Sequence, residues 1–222
     1  MKYKRKAIIR NKTPCILFII LDLFTNYNKN QKMKSELEKL DKNIKEKRPE
    51  YYAILQKPLS EKEISELETK YNIKLNSDLK ELYLWKNGQS QSNSKAFVNN
   101  SMFEPLEYVL SGNKEFTEMI GYDFEIENWW NKNWLPIFSN GGGSYICYDL
   151  KGIFTGEKGQ LIEYWNADND RSVIAPNLTS FIKKLNQYYE KTQIEEFDEC
   201  FDISAEISEW RRDFIVNKLI KK

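Results

Sequence analysis

From Met33 onward the apolar residues fall at helical spacing. Met33, Leu37, Leu40 and Ile44 are four, three and four residues apart, with lysines and glutamates between them. This predicts an amphipathic helix that Pro49 ends. A second helix opens at Ser60-Glu-Lys-Glu63, where a Ser three residues before a Glu can form a reciprocal capping box, and Ile64, Leu67 and Tyr71 make its apolar face. A third runs from Ser77, the expected N-cap, through Leu79, Leu82, Tyr83 and Trp85, and Asn87-Gly88 stops it, with Gly88 suited to the left-handed position. Gln89 to Ser94 is a polar loop. Phe103 to Leu106 reads as a short edge strand ending in a turn, with a helix over about Glu107 to Ile120 and then Gly121.

The second half changes period. Trp134 to Phe138 and Tyr145 to Leu150 are apolar, aromatic and β-branched, joined by Asn140 to Gly143, which supplies the positive φ a hairpin connection needs. Pro136 has no N–H for a ladder, so it is expected at a strand start or on an edge. Trp134 and Tyr145 are expected to be buried on the helix-covered face. Gly141-Gly142-Gly143 could instead cradle a phosphate, but a phosphate loop feeds a helix N-terminus and this one feeds a strand. Trp129, Trp130 and Trp134 could form a ligand platform; the lid of a core beside a sheet fits them better. Gln160 to Trp165 and Arg171 to Ile174 read as strands around the turn Asn166 to Asp170. After Pro176, Leu178, Phe181, Ile182, Leu185 and Tyr189 share one helix face. Ile207, Trp210, Phe214 and Leu219 place a last helix within Ile203 to Lys222.

Composition narrows the chemistry. The 222 residues hold no histidine, which removes Ser-His and Cys-His catalysis and His-ligated zinc. Cys15, Cys147 and Cys200 fit neither a Cys-x-x-Cys metal spacing nor a secreted disulfide framework, so a reducing cytoplasm is the simplest home. No cofactor loop is present, and no cofactor is expected. Paired carboxylates such as Asp168 and Asp170 could form a hydrolytic site. A turn does not guarantee that they face one another, so no enzymatic activity is expected.

Charge divides the chain. Residues 1–32 carry eight Lys or Arg and one acid, Asp22, while residues 33–222 carry 26 basic and 32 acidic groups, a net of −6. An acidic body lacks the footprint for direct nucleic-acid binding and suits a basic protein partner. The basic start and the apolar run Cys15 to Leu21 have the order of a signal peptide, but Asp22 interrupts the run, which is too short to span a bilayer. Residues 1–32 therefore read as a weak leader or membrane-surface tether, as an element docked on the domain, or as an extension foreign to the working protein, with translation starting at Met33. The last fits best, because ordinary patterning begins there. Membrane contact is expected only through this stretch. The organisation is thus 1–32 as extension, 33–190 as the domain, and 191–222 as an acidic segment with a C-terminal helix. Seven acids and no base lie between Ile194 and Glu209. The segment reads as a solvated linker before a docking helix or as a binding surface; on the second reading Glu195, Glu196, Asp198, Glu199 and Asp202, with Asp168 and Asp170, are the candidate partner-binding residues.

Leu59-Ser-Glu-Lys-Glu-Ile64, Leu67-Glu68, Ile73-x-Leu75, Asp78-Leu79, Leu82-Tyr83 and Asn87-Gly88 resemble the opening of the SMI1/KNR4 domain of the SUKH superfamily. Trp134-Leu-Pro136-Ile137, Gly142-Gly143, Tyr145, Tyr148-Asp149, Gly159 and Ala175 to Ile182 resemble its later half in the same order, over about residues 50 to 190. One departure is Asn76, where the family usually has Pro. The resemblance marks Leu67, Asn87, Gly88, Trp134, Pro136, Gly143, Tyr145 and Asp149 as structural motif positions. It implies an α+β fold, helices packed on one mixed, mostly antiparallel sheet. It also implies a non-catalytic bacterial immunity protein that binds a cognate polymorphic or contact-dependent toxin, often a nuclease, in the cytoplasm. The alternative is a scaffolding or regulatory module in cell-wall or envelope pathways.

Overall fold

A computed structural model describes residues 13–193 and 202–220, with side chains at 28 and from 30 onward. Helices α1 (Thr13–Lys47), α2 (Pro49–Ile54), α3 (Glu61–Tyr71) and α4 (Ser77–Trp85) come first. Strand β1 (Met102–Phe103) and helix α5 (Leu106–Glu118) lead into a run of strands, β2 (Trp134–Ser139), β3 (Tyr145–Asp149), β4 (Gln160–Tyr164) and β5 (Asp170–Ala175). Helix α6 (Leu178–Lys191), the short α7 (Ser204–Ile207) and β6 (Arg212–Ile215) close the chain. The strands form one sheet in the order β1-β2-β3-β4-β5-β6, every neighbour antiparallel, so the α+β class holds and the mixed sheet of the sequence reading is a pure meander.

The helix starts follow local chemistry. Ser60 and Glu63 make the capping box at α3: Glu63 N donates to Ser60 Oγ and Ser60 N to the Glu63 carboxylate. At α4 the N-cap is Asn76, and Ser77, expected in that role, is the first helical residue. Pro49 does not merely end the first helix. It starts α2 at a position where its missing N–H costs nothing. The helix expected from Met33 is continuous back to Thr13.

One face of the sheet carries the helices. Leu37, Leu40 and Ile44 of α1, Leu79 and Leu82 of α4 and Phe181, Ile182 and Leu185 of α6 bury against Leu135, Ile137, Ile146, Tyr148 and Ile174. Polar groups fix how α1 meets α6. Asn43 Nδ2 donates to Asn186 Oδ1 at 3.0 Å, and Asn186 Nδ2 donates to Glu36 O at 2.9 Å. Arg48, just past α1, donates to Ala96 O at 2.8 Å.

The opposite face holds a second core of Trp130, Trp134, Cys147, Ile162, Tyr164 and Val173, edged by Phe116, Phe124, Phe154 and Phe214. Trp134 is fully buried, but on this face and not on the helix-covered one. Tyr145 is half-buried on the same face, at the other end of the hairpin, against Phe116 and Tyr164. The tryptophan cluster is therefore core, with Trp130 and Trp134 edge to face at 6.0 Å.

Pro136 lies inside β2, neither at its start nor on the sheet's edge strand. It is tolerated because β1 pairs only Phe138 and Ser139, and the β2–β3 register slips between Pro136 and Phe138. The C-terminal helix of the sequence reading is replaced by α7, one 3₁₀ turn and β6. Phe214 stacks on Phe154 at 4.7 Å, and Leu219 bridges to Ile126.

Candidate functional site

The turns β2–β3 and β4–β5 meet at one end of the sheet. Asn140 Oδ1 accepts from Gly142 N at 2.8 Å and from Ser144 N at 3.0 Å, which folds the first turn on itself. Asn166 Nδ2 then donates to Gly142 O at 2.8 Å and joins the second turn to the first. Gly143 has φ +88°, and a Cβ there would stand 2.6 Å from Asn166 Nδ2, so a side chain at this position would break the joint.

Arg171 fixes the second turn from below. Its side chain is fully buried, with the guanidinium 4.5 Å from the Tyr164 ring and 5.1 Å from Trp129. It donates to Trp129 O at 2.7 Å, Asp168 O at 2.8 Å and Asp170 O at 2.6 Å. With their carbonyls held inward, Asp168 and Asp170 are exposed, and Asp168 Oδ1 accepts from Asp170 N at 3.3 Å. This burial was not foreseen. Its signal was the position of Arg171 two residues from Val173, on the same strand face and pointing into an aromatic core.

Between the turns lies a cleft of ≈ 90 Å³ lined by Asn99, Asn140, Tyr145, Glu163 and Trp165 among others. Trp165 is 45% exposed. Glu163 accepts from Arg211 Nη1 at 2.9 Å, and Arg211 also meets Asp213 at 2.9 Å. Burial raises the Glu163 pKa, Arg211 opposes this, and the Asp202 and Asp213 carboxylates add to the rise. Asp202 is thus within electrostatic reach of the cleft; it is exposed and caps Ser204 N. The structure brings Asp168, Asp170 and Asp202 to the region of the turns. Glu195, Glu196, Asp198 and Glu199 lie outside the described residues.

The motif positions serve the frame. Leu67 is half-buried against the main core. Asn87 Oδ1 accepts from Leu106 N at 3.0 Å and so starts α5. Gly88 is left-handed as expected, with φ +73°, though three residues beyond the end of α4 at Trp85, and a Cβ there would lie 2.4 Å from Pro105 N, so both backbone conformation and close approach require the glycine. Asp149 is fully buried, and its carboxylate accepts from Lys151 N, Gly152 N, Ile153 N and Gln160 Nε2. Burial raises its pKa against those donors. Its oxygens are engaged in shaping the β3–β4 loop, a structural task. Cys147 is buried in the second core, which pushes its thiol pKa well up. Among the described residues no group of three or more His, Cys, Asp or Glu could hold a metal ion, and no helix is long and apolar enough to cross a membrane.

The family model of SMI1 / KNR4 (SUKH-1) matches residues 58–184, more than half of the chain. The chain belongs to this family. No curated protein matches it. The matched span runs from just before α3 into α6 and includes every motif position from Leu67 to Asp149. Helix α1 and strand β6 lie outside it, yet both complete the fold. The first covers α6, and the second pairs with β5 through Asp170 to Val173. In this SMI1/KNR4 domain the C-terminal segment therefore buttresses the strand that carries the β4–β5 turn.

Proposed function

We propose that this SMI1/KNR4 protein is a bacterial immunity protein, a non-catalytic binder that neutralises a cognate polymorphic or contact-dependent toxin in the cytoplasm. The observation that carries the reading is the hydrogen-bonded turn end: an exposed Trp165 with the exposed Asp168 and Asp170 in the same turn, beside the cleft that Glu163 lines. An exposed tryptophan is the residue type most often found as an interface anchor, and surrounding carboxylates complement a basic partner and steer its approach. Family membership supports the same reading. A nuclease toxin presents a basic substrate cleft, which acids of this kind would occlude. The partner is therefore a basic protein, with no direct contact to nucleic acid.

The test uses the toxin domain encoded in the neighbouring open reading frame. The two proteins should co-purify as a stoichiometric complex, and cells expressing both should survive the toxin. Survival and co-purification should both weaken in a Trp165→Ala, Asp168→Asn, Asp170→Asn variant. A neighbouring frame that encodes no toxin, or a toxin neither bound nor blocked, overturns the reading.

A further inference from the structure

The opposite end of the β2–β3 hairpin has the opposite charge. There the α3–α4 connection, one face of α5 and the segments before β2 and after β3 enclose a groove of ≈ 530 Å³. Lys74, Lys114, Lys132 and Lys151 line it with a single acid, Glu118. Lys74 pairs with Glu68 at 3.0 Å and Lys114 with Glu118 at 3.9 Å. Lys132 and Lys151 make no ion pair among the described residues. In a body that is net acidic from residue 33 onward, the unpaired Lys132 and Lys151, beside the paired Lys74 and Lys114, form a local reversal of field.

A second observation concerns Thr117 on the α5 wall. Its Oγ1 is buried and has no hydrogen-bond partner among the described residues. A helical threonine ordinarily returns its hydroxyl to the carbonyl four residues back, as Thr69 does to Ser65 O at 2.9 Å. A buried hydroxyl left unbonded is unfavourable, and native proteins seldom retain one without a partner supplied from elsewhere. Thr117 lines the groove beside Asn113, Asn133 and the four lysines, with its hydroxyl turned in from the surface.

We propose that this groove binds a small polyanion bearing phosphate or carboxylate groups. Lys132 and Lys151 would supply the charge, and rotation of the partly exposed Thr117 about χ1 would bring its buried hydroxyl to one anionic oxygen as a donor. The volume falls within the roughly 300–1,000 Å³ span of small-ligand sites. Lysines act on such ligands as point charges, so no single planar geometry is imposed. The site is separate from the turn end, and its occupancy does not depend on the toxin reading.

The experiment is a titration of the full-length chain with inorganic tripolyphosphate at low salt, followed by amide shifts in NMR, with citrate in a parallel arm. Shifts at Asn133, Lys151 and Thr117 should saturate together. Lys132→Gln with Lys151→Gln should weaken that isotherm by about tenfold or more, since charge-assisted contacts supply it, whereas Lys2→Gln with Lys4→Gln should leave it unchanged. Thr117→Val should weaken it severalfold without lowering the melting temperature, because the hydroxyl removed has no partner in the free protein. Tripolyphosphate alone binding assigns the phosphate class; citrate binding as tightly assigns anionic oxygen of either kind. No saturable shifts at these amides, or an isotherm untouched by the lysine pair, overturns the proposal. Binding of an acidic peptide in place of both small anions also overturns it.

Discussion

The hydroxyl of Tyr148 donates to Asp78 Oδ1 at 2.6 Å and ties the middle of the sheet to the first turn of α4. Asn76 Nδ2, the N-cap of that helix, donates back to the same hydroxyl at 3.0 Å. Gly159 leaves the room, since a Cβ there would stand 2.8 Å from the tyrosine oxygen. The carboxylate also lies beside the N-terminal end of the helix, where negative charge is favoured. Burial, and next the Asp78 charge, push the Tyr148 pKa far up, so the phenol keeps its proton and stays the donor at neutral pH. Asn76 replaces the family's usual proline with a residue that has a use here.

Tyr148→Phe removes the oxygen from this triad and leaves the buried Asp78 carboxylate without that donor. The expected loss is about 1–3 kcal/mol of folding stability, the cost of a buried polar group deprived of its partner. Urea unfolding of the two proteins measures it. A difference within experimental error would mean that solvent replaces the phenol.

Glu68 organises the neighbouring connection. Its side chain is 6% exposed and accepts from Leu75 N at 2.7 Å, Lys80 at 2.8 Å and Lys74 at 3.0 Å. Burial raises its pKa, but Lys80, the Leu75 N–H and Lys74 together outweigh burial and hold it below the ordinary 4.5. The ionised form therefore stabilises the fold. That contribution is complete above pH 4.5 and is lost as pH falls through the lowered folded value. Glu68→Gln should cost about 1–2 kcal/mol at neutral pH, discounted because Lys74 is solvated. The gap between the two proteins should close in acid. Melting curves at a series of pH values test this, and a gap independent of pH would refute it.

Trp134 is the largest side chain of the second core that lies on a strand. Trp134→Ala should cost about 3–5 kcal/mol, the range for a large aromatic removed from a core. Its Nε1 is buried without a hydrogen-bond partner among the described residues. Trp134→Phe therefore sacrifices no bond and should cost clearly less. Chemical denaturation of both variants checks the order; equal costs would show that the indole N–H is engaged.

Helices with a polar side were readable, and so were strands bounded by turn residues. The box at Ser60 and Glu63 and the stripe from Leu178 to Tyr189 needed only local spacing. What escaped the sequence depends on partners distant in the chain. Every residue of β2 is buried, so no alternation of polarity shows which face Trp134 takes. Phe214 and Leu219 imitate a helical stripe, but the open edge of β5 offers Arg212 to Ile215 a ladder, and Phe154 offers a stacking partner. At the turn end the exposed acids were legible, because turn residues are polar. The buried Arg171 that fixes them showed only in its spacing from Val173, a signal overridden because an arginine is ordinarily an exterior residue.

The acids of the candidate surface should separate kinetically from its aromatic anchor. Glu195, Glu196, Asp198, Glu199 and Asp202 form a dense run of negative charge, more than a helix dipole would account for, since that effect fades within about one turn. Charge of this kind acts through the long-range field, so it governs how often a basic partner arrives, and salt screens it. Replacing the five by Asn or Gln should slow association with the cognate toxin about tenfold or more at low salt, inside the 10–10³ range of electrostatic steering, and flatten the salt dependence. Trp165 makes short-range contacts only. Trp165→Ala should leave the association rate nearly unchanged and speed dissociation, the usual place for the loss of a buried anchor. Neither change should move the melting temperature much, because Asp202 and Trp165 are both exposed. Stopped-flow binding at two ionic strengths reads all of this at once. If the five-fold acid variant associates as fast as the wild type with the same salt slope, the acidic run serves solubility alone. If Trp165→Ala changes neither rate, the interface lies away from the turns, and the polar loop Gln89 to Ser94 becomes the next surface to vary.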